Sequence, residues 1–135
     1  MTQPDLHKEH AELLMKKAAE DEALLDEVKE SPRVSDEVFG FHCQQAAEKM
    51  LKAVLAVHQV VYRRTHDLDE LLTLLVENNV LVPSVAGQLS LFTAFAVEYR
   101  YDVWPEHAPY LDREASRDVI HRLREWADHE IHIAS

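Results

Sequence analysis

Apolar residues recur along this chain at the three- and four-residue spacing of helices. Leu6, Leu13, Leu14, Ala18, Leu24, Leu25 and Val28 form one such stripe and predict a first helix from about Pro4 to Glu30. Pro4 suits a first helical position, and Ser31-Pro32 stops the helix. Ser35 is placed to cap a second helix that reaches about Val61. That helix is apolar on most faces, through Ala46, Ala47, Met50, Leu51 and Val54, which predicts a central position in the fold. Arg63-Arg64 is placed to end it, with cations at the negative end of its dipole. Thr65 or Asp67 caps a third helix carrying Leu68, Leu71, Leu72 and Leu75, with Glu70 spaced from Asp67 as in a capping box. Asn78-Asn79 closes it. Pro83-Ser84 opens a fourth helix bearing Leu89, Phe92, Phe95, Ala96 and Tyr99, and Pro105 and Pro109 bracket a break after it. Asp112 caps a last helix whose stripe is Ala115, Val119, Leu123, Trp126, Ala127 and Ile131.

These elements add up to an all-α, up-and-down bundle of about five helices in a single domain, residues 1–135. The length supports one real core and is short for two. Two glycines in the whole chain are too few for the tight turns of a β-rich fold. No repeat, low-complexity tract or linker interrupts the pattern.

The second helix also carries a polar seam: Gln45, Glu48, Lys49 and Lys52. On a helix this apolar, such a seam has to meet solvent, a partner or a ligand, because burying it unpaired is costly. Charge sharpens the point. The formal net charge is -11, which disfavours non-specific binding to nucleic acid or anionic membranes. Residues 41–64, however, hold one acid against four bases, making this the one locally basic stretch. An anionic group, or the acidic face of a partner, would meet it first. The single Cys43 has no intrachain disulfide partner and reads as a buried, reduced thiol. No apolar run is long enough to span a bilayer, and the N-terminus does not have the pattern of a signal peptide, so a cytoplasmic location with no membrane contact is expected.

Several pieces in order carry a resemblance. They are Lys17-Ala18-Ala19-Glu20-Asp21, Phe41-His42, Gln44-Gln45-Ala46-Ala47-Glu48-Lys49, Leu51-Lys52-Ala53, Thr65-His66-Asp67-Leu68 and Tyr99-Arg100-Tyr101. With these pieces nearly the whole chain resembles a HEPN domain, a small helical bundle. The resemblance implies a bundle that pairs as a homodimer and works with a minimal nucleotidyltransferase in toxin–antitoxin-like pairs. Some members of the family are metal-independent ribonucleases that use an Arg and a His four to six residues apart. Others bind nucleotides or act as scaffolds without catalysis.

Arg100 and His107 have six residues between them, within that spacing. A histidine can move the 2′-hydroxyl proton or protonate the leaving oxygen, and an arginine can hold the phosphate. Tyr101 stands where active members usually carry a small polar residue, and Pro105 and Pro109 make the segment irregular. The leading expectation is therefore a nucleotide- or partner-binding dimeric module. Its contacts fall on His42, Gln44, Gln45, Lys49, Lys52, His66 and Tyr101. A ribonuclease acting on RNA through Arg100 and His107 is the alternative, and a purely structural bundle is the second. Cofactors are not expected. The pairs His7/His10 and His129/His132 have a metal-binding spacing but lie at the chain ends with no Cys or carboxylate set to complete a shell, so no metal site is expected.

Overall fold

The computed structural model describes residues 3–95 and 111–134. Among these residues all regular secondary structure is helical. Helix α1 spans Gln3–Val28, α2 Asp36–Val57 and α3 Leu68–Glu77. A 3-10 helix covers Ser84–Phe95, and α4 spans Arg113–Ala134. No helix among them is long and apolar enough to cross a membrane.

Helix α2 is the axis of the bundle. Ser35 caps it through a hydrogen bond from the Val38 amide, 3.2 Å. Phe39, Cys43, Ala46, Ala47, Met50, Leu51, Val54 and Leu55 are all buried, so the helix contributes to the core around nearly its whole circumference. Each fully buried leucine contributes about 1.5–3 kcal/mol relative to exposure. Its most extensive contact is with α1, followed by α4.

Of the stripe expected on α1, Ala18 and Leu25 are buried, and Ala11 and Met15 join them in the core. Leu14 and Val28 are partly buried, but Leu6, Leu13 and Leu24 lie on the outer face. The reason is spacing. Positions 11, 15, 18, 22 and 25 fall on one face, and the small residues among them let the backbones approach closely. Positions 6, 13 and 24 fall on the opposite one. The buried face of α1 also carries Asp21 and Glu22. Glu22 is held by Arg117 and Arg124 of α4, and Arg124 also donates to the Met15 carbonyl at 2.9 Å. The hydrogen bond from Arg117 holds the neighbouring Asp26 carboxyl below its usual range.

Helix α2 ends earlier than expected, while α3 ends at Asn78-Asn79 as expected. Gln59 and Asn79 adopt left-handed φ values of 58° and 63°. In each case two amide hydrogen bonds fold back on the last turn. Val60 donates to Leu55 and Gln59 to Ala56, while Val80 donates to Leu75 and Asn79 to Val76. These are Schellman closures built without glycine. The first of them stops α2 at Val57 rather than near Val61, leaving Val61 exposed. Arg63 consequently caps nothing and pairs with Glu70 at 2.6 Å. Asp67, not Thr65, is the N-cap of α3, accepting from the Asp69 and Glu70 amides. Glu70 is engaged with Arg63, so the expected reciprocal capping box does not form.

The fourth element is 3-10 rather than α. Ala86, Leu89, Phe92 and Phe95 are buried at a strict spacing of three, the repeat of a 3-10 helix. The expected members Ala96 and Tyr99, with Pro105 and Pro109, lie outside the described residues. Asp112 caps α4 as expected, accepting from the Ala115 amide at 3.0 Å. The buried stripe of α4 begins at Ser116, however. Ala115 is exposed and Trp126 only partly covered, while Val119, Leu123, Ala127 and Ile131 are buried. Arg113 ties this end of α4 to the α1–α2 connection. It donates to the carbonyls of Val28, Ser31 and Val34 and to Asp36, and stacks over the Phe39 ring at 5.3 Å.

One glycine is required by packing. A Cβ on Gly40 would lie 2.4 Å from Cγ of Phe95. Replacing a mid-helix glycine by alanine ordinarily stabilises by about 0.5–1 kcal/mol. Here the overlap with a buried ring costs about 1–3 kcal/mol. Gly40→Ala is therefore expected to lower the unfolding free energy, as read by urea denaturation, and a gain in stability would show that Phe95 does not pack on α2.

Candidate functional site

The polar seam of α2 is satisfied from within the fold, by one carboxylate from α1 and one from α2. The first is Asp21, brought by α1. Its Oδ1 lies 2.9 Å from His42 Nδ1, and its Oδ2 accepts from Lys49 Nζ. The second is Glu48, on α2 itself, with a side chain only 7% exposed. Its Oε1 accepts from Gln44 Nε2 at 3.1 Å and meets His66 Nδ1 at 2.8 Å. Its Oε2 accepts from Lys52 Nζ at 2.9 Å. Gln44, fully buried, also donates to the backbone carbonyl of His66 at 2.9 Å and accepts from Gln45 Nε2 at 2.8 Å. The α2–α3 connection is thereby tied to the central helix through both the main chain and the ring of His66.

The geometry fixes the orientation of both histidines. An ionised carboxylate only accepts, so each ring donates from Nδ1 and, when neutral, turns its Nε2 lone pair away from the carboxylate. His66 is 47% exposed and His42 is 26% exposed, so the free edges are presented at the surface. Lys52 passes over the Tyr62 ring at 5.7 Å, and the Tyr62 hydroxyl meets His10 Nε2 at 3.4 Å, which extends the polar line to α1. Burial, reinforced by Glu48, raises the Tyr62 pKa, so its hydroxyl stays protonated at neutral pH.

The structure thus brings together His42, Gln44, Gln45, Lys49, Lys52 and His66, but in unequal roles. Gln44 is enclosed and acts by positioning its neighbours. Gln45 and Lys49 are half-buried, and Lys52 is mostly covered. The locally basic character read from the sequence is compensated in three dimensions. Asp21, which sequence reasoning did not place here, neutralises Lys49, and Glu48 neutralises Lys52. An acid on the buried, small-residue face of α1 was the available signal. Arg100, Tyr101 and His107 lie outside the described residues. Among the described residues no group of three or more metal-ligating side chains converges. The Cys43 thiol is buried and its pKa is pushed up to about 12, so it is not a nucleophile at neutral pH.

Fold and site together define a class: a small all-α bundle whose central helix carries a self-paired polar seam flanked by two carboxylate-held histidines. The HEPN domain family model matches residues 11–128, and the chain belongs to the HEPN family. No curated protein and no solved structure matches the chain significantly.

Removing Glu48 would leave Gln44 without one of its acceptors, and Lys52 and His66 without their carboxylate, in a largely covered site. Breaking a buried pair from one side costs about 3–5 kcal/mol. Glu48→Ala is expected to lose stability on that scale in urea unfolding, and Glu48→Gln, which keeps an acceptor, to lose less. A loss below about 1 kcal/mol for Glu48→Ala, the range of a surface pair, would show that the network does not hold the α2–α3 connection.

Proposed function

We propose that this chain is a non-catalytic HEPN binding module, paired as a homodimer, that docks a minimal nucleotidyltransferase through the α2 seam in a toxin–antitoxin-like pair. The observation that carries this reading is the way the seam is held. His42, Lys49 and His66 reach the surface already oriented by Asp21 and Glu48. A partner that binds such a patch gives up little additional side-chain freedom, and this pre-organisation favours recognition.

Charge compensation favours a protein surface over a free nucleotide. A polyphosphate at Lys49 or Lys52 would have to compete with a carboxylate already bound to it. A protein partner needs no such exchange. It can donate to the Nε2 edges of His42 and His66 and hydrogen-bond to Gln45, leaving both ion pairs intact.

The test is calorimetric titration of the folded chain with the purified nucleotidyltransferase encoded by a neighbouring gene. His42→Ala and His66→Ala are each expected to weaken binding by about tenfold or more, the effect of losing an interface hot spot. Thermal unfolding of the same variants reports whether the fold is retained. Unchanged affinity in both variants would remove the seam from the interface. Chelator-resistant RNA cleavage by the wild type that disappears in both Arg100→Ala and His107→Ala would replace the proposal with a ribonuclease.

A further inference from the structure

A long stretch of this acidic sequence is free of charge. From Asn78 to Val97 the sequence carries no Asp, Glu, Lys, Arg or His, in a chain that is 29% charged. The stretch begins at the corner between α3 and the 3-10 helix. There Leu81 is 85% exposed, and Val76, just before the stretch, is 58% exposed. Single exposed leucines are ordinary on protein surfaces. At this corner the apolar groups are contiguous, since Val76, Asn79, Val80, Leu81 and Val82 together line an open groove of about 370 Å³.

The corner is rigidly presented. The left-handed Asn79 and the two amide bonds that close α3 set the direction of the chain. The Trp126 indole of α4 then donates to the Leu81 carbonyl at 2.9 Å. The fold uses the main chain of Leu81 and leaves its side chain in water, so a polar residue there would serve the fold equally well. A leucine fixed outward beside a groove is what an interface anchor requires.

Charge decides among occupants. On the exposed face of α3 that runs into Val76 stand Asp69 and Glu77. A second copy of the chain presenting the same corner would bring the same two carboxylates to the contact. A protein whose apolar side chains are flanked by lysine or arginine meets apolar with apolar and acid with base. We infer that the Val76–Leu81–Val82 corner is a docking surface for a partner presenting an aliphatic anchor between basic residues. This surface is distinct from the α2 seam and does not depend on it.

The test is an NMR titration of the full chain with two synthetic peptides, one with two leucines flanked by lysines and the other with the same leucines flanked by glutamates. The lysine-flanked peptide is expected to shift the amides of Val76 to Val82 and the Trp126 indole proton. It is also expected to bind about tenfold or more tightly than its acidic counterpart. Leu81→Ser, which keeps the carbonyl that Trp126 uses, is expected to abolish those shifts while the indole resonance of the free protein stays in place. Three results would each overturn the inference: equal binding of the two peptides, lysine-peptide shifts that persist in Leu81→Ser, and sedimentation showing wild-type self-association that Leu81→Ser removes. None of them touches His42 or His66, so the proposal for the seam stands or falls separately.

Discussion

Helix α2 is enclosed on nearly every side, so each polar group it carries has to find its partner in an element packed against it. This constraint organises the rest of the structure. Glu48 cannot be left ionised in a covered position without donors, and the donors it recruits come from its own helix and from His66. Satisfying Glu48 thus fixes where the α2–α3 connection runs. Lys49 and His42 place the same demand on α1, which answers with Asp21 on its buried face. The polar seam and the helix packing are consequences of one requirement.

The requirement also explains why α1 is turned as it is. Turning Leu6, Leu13 and Leu24 inward would carry Asp21 and Glu22 away from their partners on α2 and α4. The observed orientation keeps Ala11, Met15, Ala18 and Leu25 in the core and both acids paired. The leucines at 6, 13 and 24 are left outside as the cost of that arrangement.

Much of the architecture was legible in the sequence because helical periodicity, the Ser35 cap and the Asp112 cap are local signals. What was misread depended on longer range. The inward side of α1 carries Asp21 and Glu22, whose partners lie on α2 and α4, far away in sequence. The end of α2 is set by a left-handed Gln59, a residue type that gives little warning of that conformation. The 3-10 helix was visible in the spacing of Ala86, Leu89, Phe92 and Phe95, but a period of three is easily taken for the helical one. For the site, the residues on α2 were identified by their polarity on an apolar helix. Their charge balance was not, because Asp21 arrives from another helix and turns a basic stretch into a compensated one.

A surface built this way is pre-organised. Its side chains are held, its charges are paired, and its two imidazoles present one edge each in a defined tautomer. Long-range proton–nitrogen correlation spectra of the histidine rings, recorded at a pH where the rings are neutral, test this account most directly. His42 and His66 should both carry their proton on Nδ1, with Nε2 unprotonated. A dominant Nε2–H tautomer, or rings exchanging freely between the two, would contradict a seam held in place by Asp21 and Glu48.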